Sequence, residues 1–200
     1  MRSTARSLFT ALLVAAALIA GCATTPDTKL EVSWVTPQLP PAPNKLLIIT
    51  VASDEFVQAA FQDQMAAELQ KRGWNAVASH RYFTNYSEAE TERFKRSIEE
   101  SDADYVLLAR VTKDDRSVRD IPYAETTGIY LAYSGYSGLG GNQSTTTVTA
   151  EASIFAEKGG KLIWSARTRT TNAQTVKSGA DAARQYVPVI LEAMKKDKLF

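Results

Sequence analysis

Cys22 and His80 are the only cysteine and the only histidine in 200 residues, which limits the chemistry this chain can do. One thiol cannot close an intrachain disulfide. Zinc sites of the usual type draw three or four ligands from Cys and His, so no metal site is expected here, and a Cys–His nucleophilic couple is out of reach as well. His80 could act as the base of a Ser-His-Asp triad. The strained Gly-x-Ser-x-Gly turn that would expose such a serine is missing: Tyr133-Ser134-Gly135 and Tyr136-Ser137-Gly138 both lack the leading glycine. His80 therefore reads as a surface histidine following a strand.

Two charged groupings remain. Lys113-Asp114-Asp115-Arg116 with Arg119-Asp120 gathers carboxylates that could hold a cation. It lacks the alternating oxygens, central glycine and terminal glutamate of a hand-type calcium loop, and Lys113 and Arg116 neutralise the acids. A solvated charged loop is expected. Arg167 and Arg169 share one face of a strand and could clamp an anion, although an ordinary exposed sheet face also explains them. No catalytic residue and no cofactor is implied.

Residues 122–144 are the least ordinary stretch. They hold Tyr123, Tyr130, Tyr133 and Tyr136 together with five of the ten glycines. Tyrosine offers large contact area at low rotamer cost, and glycine lets the backbone conform to a partner. Connections longer than about 12–15 residues are usually functional or disordered. A partner-binding loop through these four tyrosines, a mobile connection and a membrane-inserting hairpin are the three readings. The last is weakened because residues 135–144 lack sustained alternation.

At the amino terminus, Arg2 and Arg6 supply positive charge with no acid before Asp27, and residues 8–20 are apolar except for Thr10. That run has 13 residues, whereas a membrane-spanning helix needs about 20. It is a secretory signal rather than a span. Ile19-Ala20-Gly21-Cys22 closes it and resembles the lipobox of bacterial lipoproteins. The resemblance implies a diacylglycerol on Cys22, cleavage of residues 1–21, palmitate incorporation and stable attachment to a membrane. In lipoproteins of enteric-type bacteria an Asp after the lipidated cysteine causes retention at the inner membrane. Ala23 stands there, so the resemblance implies the outer membrane, facing the periplasm.

Loss of residues 1–21 removes two arginines and leaves 21 basic against 22 acidic residues. A balance of −1 leaves no electrostatic footprint for nucleic acid and no broad basic face for anionic lipid. Pro26, Pro37, Pro40, Pro41 and Pro43 precede Lys45. The expected organisation is a signal peptide over 1–21, a lipidated Pro-rich tether over 22–44 and one periplasmic domain over 45–200. Polyproline geometry would let such a tether reach up to about 65 Å. Leu30, Val32 and Trp34 alternate with Glu31 and Ser33 as in a half-buried strand, however, and docking of that segment would shorten the tether.

Within the domain, residues 45–52 (KLLIITVA) form an apolar run suited to a strand buried on both faces. Ser53 and Asp54 can cap a helix carrying Val57, Ala60, Phe61, Met65 and Leu69 on one stripe, ended by Gly73. A short strand over 74–79 follows. Ser87 with Glu90 can cap a helix to Ser101 with a thin stripe of Thr91, Phe94 and Ile98. Residues 105–111 are a third strand. Alternation over 145–156 and 161–171 around Gly159-Gly160 predicts an antiparallel hairpin, with Ile154, Leu162, Trp164 and Ala166 facing inward. A last helix over about 180–196 should kink or restart near Tyr186, because Pro188 lies inside it. The fold class is α/β (α+β): one mixed sheet of about five strands, β-α-β-α-β and then a hairpin, with a C-terminal helix. The expected core comprises Leu47, Ile49, Val51, Phe61, Leu69, Val106, Leu108, Ile154 and Trp164.

The 45–52 strand with its Gly73-terminated helix, the Ala103-Asp104-Tyr105-Val106-Leu107-Leu108 strand and the Gly160-Lys161-Leu162-Ile163-Trp164-Ser165-Ala166 return strand together resemble uncharacterised proteobacterial envelope lipoproteins. More loosely, they are similar to the periplasmic α/β domain of the curli-channel and penicillin-binding-protein-activator lipoproteins, and to the amino-terminal domain of the Tol-Pal propeller protein. The resemblance implies a non-enzymatic, membrane-anchored protein that presents its domain to an envelope protein or to copies of itself. A small periplasmic hydrolase or ligand binder is the alternative; two converging carboxylates in a polar pocket would favour it.

Overall fold

Branched and apolar side chains fill the central strands because both faces of the sheet are covered. In the computed structural model, which describes residues 25–52, 55–82, 90–112, 147–156 and 160–200, six strands form one sheet. They are β1 (Asp27–Val35), β2 (Leu46–Val51), β3 (Ala76–Ala78), β4 (Tyr105–Thr112), β5 (Thr147–Ala156) and β6 (Lys161–Thr171), in the spatial order β1-β6-β5-β4-β2-β3. β2 runs parallel to β3 and β4, whereas the β4–β5, β5–β6 and β6–β1 pairs are antiparallel. The helices are α1 (Glu55–Gln70), α2 (Glu90–Ser101) and α3 (Gly179–Lys196). This is the expected mixed α/β class with one strand more than the five anticipated.

The additional strand is β1. Its residues lie within the expected tether, yet they pair with β6 from Asp27↔Thr171 to Val35↔Trp164, with a bulge between Leu30 and Val32. The following prolines belong to a pinned connection. Thr36 N–H donates to the Ile163 carbonyl at 2.9 Å, the Tyr105 hydroxyl donates to the Pro41 carbonyl at 2.6 Å, and Asp104 accepts from the backbone N–H of Asn44 and Lys45. The sheet therefore begins at residue 27, and residues 36–44 are held against it.

One sheet face packs on α1 and α3 through Leu46, Ile48, Met65, Leu69, Leu107, Trp164, Leu191 and Met194. The other packs on α2 through Leu47, Ile49, Val106, Leu108, Phe155, Phe94 and Ile98. Gly73 ends α1 with φ of 86°; its N–H donates to the Gln70 carbonyl, and Trp74 N–H donates to that of Leu69. That is the paired bonding of a Schellman cap, for which a residue without Cβ is best suited.

Three expectations need correction. Val51 is half-buried rather than core, because it lies at the end of β2. Leu162 does not share a face with Trp164: the register shifts between Ile154 and Phe155, so Ile163 and Trp164 both turn to the first face and Leu162 to the second. A bulge inserts one residue and inverts the alternation beyond it. Of the kink or restart expected near Tyr186, the restart is absent: α3 continues across Pro188 as one helix. The proline lies on the exposed side, where water can serve the freed carbonyl. Expectations for Cys22, for the Ser53 and Asp54 cap, for Ser87, for 113–120, for Gly159 and for residues 122–144 with Tyr123, Tyr130, Tyr133 and Tyr136 fall outside the described residues.

Candidate functional site

The second sheet face becomes polar towards the end at which β4 finishes. Cross-strand register sets Val51, Arg110, Glu151, Arg167 and Val32 side by side on β2, β4, β5, β6 and β1. Alternation along 145–156 puts Glu151 on the face opposite Ala150 and Ala152, with Thr147, Thr149 and Ser153. Glu151 is buried, and Arg110 Nη2 donates to its Oε2 at 2.9 Å, with both side chains 1% exposed. Ions so far from water persist only when paired, because an isolated buried charge is very unfavourable. Ser153 and Ser165 occupy the next row towards Leu108 and are buried too.

The two arginines considered as an anion clamp have different surroundings. Arg169 is exposed and engages Glu31 at the β1 bulge. Arg167 is half-buried opposite Glu151, and its Nε is buried without a hydrogen bond. An anion bridging both would have to displace Glu31 from Arg169. Across β4, β5 and β6 the charges alternate as Arg110, Glu151 and Arg167, with the Arg110–Glu151 pair closed by a hydrogen bond.

His80 lies in a short 3-10 turn (Ser79–Tyr82) after β3. Its surroundings come from α1. The buried Gln62 Oε1 accepts from Ser79 Oγ at 3.1 Å, from His80 N–H at 3.0 Å, and contacts His80 Nδ1 at 3.1 Å. Because that oxygen only accepts, Nδ1 carries the proton, and Nε2 faces Asp63 at 3.5 Å. The adjacent hydroxyl donates to Gln62 rather than to the imidazole, so Ser79 is not an activated nucleophile. Gln62 knits α1 to the turn after β3, and nothing in the sequence singled it out.

The remaining clusters fasten elements together. Trp164 Nε1 donates to Asp197 Oδ2 at 2.8 Å and holds the end of α3 on the sheet. Lys71 and Arg72 keep the Glu68 carboxyl below its ordinary value, and Arg184 with Ser178 does the same for Asp181. Among the described residues, no group of three or more His, Cys, Asp or Glu could hold a metal ion, and no helix is long and apolar enough to cross a membrane.

No family model matches this chain, and no curated protein does. Among solved structures it is similar to the PelC dodecamer from Paraburkholderia phytofirmans, once as a single-substitution variant and once without that substitution, at 12% identity in both. Those matches have TM-scores of 0.44 and 0.43, and cover 84% and 85% of this chain and 97% of that one. It is also similar to lipoprotein GNA1162 from Neisseria meningitidis, at 15% identity and a TM-score of 0.38, over 78% of this chain and 99% of that one.

Proposed function

We propose that the chain is a bacterial envelope lipoprotein, anchored by acylated Cys22 to the outer membrane and facing the periplasm. Without enzymatic activity of its own, it presents one α/β domain to another envelope protein or to copies of itself. The observation that carries this reading is the ordered prefix of Arg2 and Arg6, the apolar residues 8–20 and the Ile19-Ala20-Gly21-Cys22 ending. Support for a presenting role comes from the polar clusters, whose groups are engaged with one another: His80 with Gln62, Arg110 with Glu151 and Arg169 with Glu31.

The proposal assigns partner contact to Tyr123, Tyr130, Tyr133 and Tyr136. β4 ends at Thr112 and β5 begins at Thr147, with Thr112 paired to Thr149, so the chain leaves and re-enters the sheet at one end. Palmitate labelling tests the anchor: wild type should incorporate label and Cys22→Ala should not, and equal labelling of both would overturn the reading. Crosslinking in intact envelopes tests presentation. Serine at Tyr130, Tyr133 and Tyr136 should abolish captured partner bands while leaving the melting temperature unchanged, since a buried interface tyrosine can cost more than about 1 kcal/mol of binding when truncated.

A further inference from the structure

All three helices finish at one end of the sheet, and each is followed there by a residue in the left-handed region. These are Gly73 after α1 with φ of 86°, Asp102 after α2 with 48° and Lys198 after α3 with 61°. α1 leads into β3 and α2 into β4, and the first residue of each strand pairs with Leu46 at the start of β2. The end of α3 joins that of α1. Phe200 packs edge-on against Trp74 with 6.3 Å between ring centroids, and the Arg72 guanidinium lies 5.8 Å from the Phe200 ring centre. α1 and α3 cover the first face of the sheet and α2 the second.

The two sides of this end carry opposite charge. On the first, Lys195 and Lys196 occupy the last turn of α3, Lys198 follows, and all three are exposed. Beside them Lys71 and Arg72 share the single acid Glu68, and Asp197 accepts from Trp164 Nε1. On the second side Glu99, Glu100 and Asp102 are exposed, and the last turn of α2 has no basic residue. Lys45, whose ammonium donates to the Ser101 carbonyl, offsets one of these acids.

Local stability does not account for this pattern. The dipole of α3 favours lysines at its end, but that of α2 opposes acids there. Arg96 precedes Glu100 by four residues at 3.9 Å, the less favourable order for such a pair. Lys198 N–H donates to the Lys195 carbonyl and Leu199 N–H to that of Met194, the same paired cap that Gly73 and Trp74 make on α1. Glycine adopts the left-handed conformation freely and aspartate tolerates it, whereas lysine is disfavoured. Local rules broken without local gain are expected at sites of function.

We propose that this end is a self-complementary surface on which a second copy of the chain docks. Two copies meeting end to end about a two-fold axis set the lysines after α1 and α3 of each against the acidic end of α2 of the other. Such an interface closes as a dimer. The inference rests on the presenting role proposed above and deepens it by naming a copy of the chain as a partner. It uses the sheet end opposite the one at which β4 finishes and β5 begins. Charge complementarity selects the occupant. An anionic lipid surface or another polyanion would fit the lysines but be repelled by Glu99, Glu100 and Asp102, whereas a second copy carries both signs.

Sedimentation of the full chain in a non-ionic detergent is the test. Wild type should dimerise at low salt and dissociate as salt screens the charges. Lys195→Glu with Lys196→Glu makes both sides acidic, and Glu99→Lys with Glu100→Lys makes both basic. Each double variant should raise the dimer Kd by about tenfold or more, because like charges then face each other. An equimolar mixture of the two should restore a one-to-one dimer, which misfolded chains could not do. Lys198→Gly should raise the melting temperature, by relieving the cap, and weaken the dimer. Unchanged Kd in both double variants, or a mixture that stays monomeric, overturns the inference and leaves association through another surface open to the presenting role. Wild type that is monomeric at every salt concentration overturns the inference and removes self-association from that role.

Discussion

The two faces of the sheet respond differently to the same problem. Both are apolar over most of their area and both become polar towards the end where β1 begins. The first face, under α1 and α3, makes the change with neutral groups: Thr168 and Thr170 are buried, Thr170 Oγ1 meets Thr28 Oγ1 at 2.8 Å, and Tyr186 lies beside Thr170. The second face makes it with ions, Arg110 and Glu151. A buried hydroxyl needs one partner and costs little when it has one. A buried ion that loses its partner leaves an uncompensated charge. The second face is therefore the more brittle of the two, and the difference can be measured.

The largest expected effect comes from Glu151→Ala. It strands the Arg110 guanidinium in a site where the side chain is 1% exposed, and should destabilise by about 3–5 kcal/mol. Replacing both residues, Arg110→Met with Glu151→Leu, should recover most of that loss, because paired burial is close to neutral against hydrophobic residues of similar volume. Urea midpoints for the single and double variants check this. A single-variant cost below about 1 kcal/mol would mean the pair behaves as a surface bridge, and the contrast between faces would disappear.

Next in size are Leu107→Ala and Leu108→Ala, neighbours on β4 that point to opposite faces and are 0% and 1% exposed. Each should cost about 2–5 kcal/mol. Similar values would mean that the apolar parts of the two faces are equally well packed and that brittleness belongs to the ion pair alone. A much smaller loss at Leu108 would show the α2 side to be loosely covered. Gly179→Ala probes the contact between α1 and α3. Its methyl would meet Val57 Cα at 2.7 Å, and overpacking of about 1–3 kcal/mol exceeds the helix-propensity gain of about 0.5–1 kcal/mol from replacing glycine. A net loss in melting temperature is expected.

Periodicity made the central strands and the stripes of α1 and α3 legible, because burial on one or both faces writes itself into the order of apolar residues. Leu30, Val32 and Trp34 marked a strand but not its faces, since the β1 bulge sends Leu30 to the first face and Trp34 to the second, and five prolines nearby argued for a free tether. Composition reports that a segment is extended; it does not report that Tyr105 and Asp104 will pin it. Alternation along 145–156 separates two faces, yet a polar residue such as Glu151 on the second face reveals only that it differs from the first. Whether water or a buried Arg110 awaits it depends on a strand 41 positions away in sequence. The Ile163 bulge and the Gln62–His80 contact left no mark either, since one inserted residue and one glutamine look like any other.

The smallest predicted effect belongs to the first face and to alkaline pH. Burial pushes the Tyr186 phenol above its ordinary value, and the hydrogen bond with Thr170 pulls it partly back. An unfolded chain releases that proton near pH 10, whereas the folded one holds it to higher pH. The stability that Tyr186 contributes is therefore complete below about pH 10 and is lost as pH rises through the folded value. Other tyrosines titrate in the same window, so the informative quantity is a difference: urea unfolding of wild type and Tyr186→Phe from pH 8 upwards. The wild type should lose stability more steeply than the variant. Parallel curves would show that the phenol is as well hydrated in the fold as outside it, and the neutral groups of the first face would then be less buried than the ions of the second.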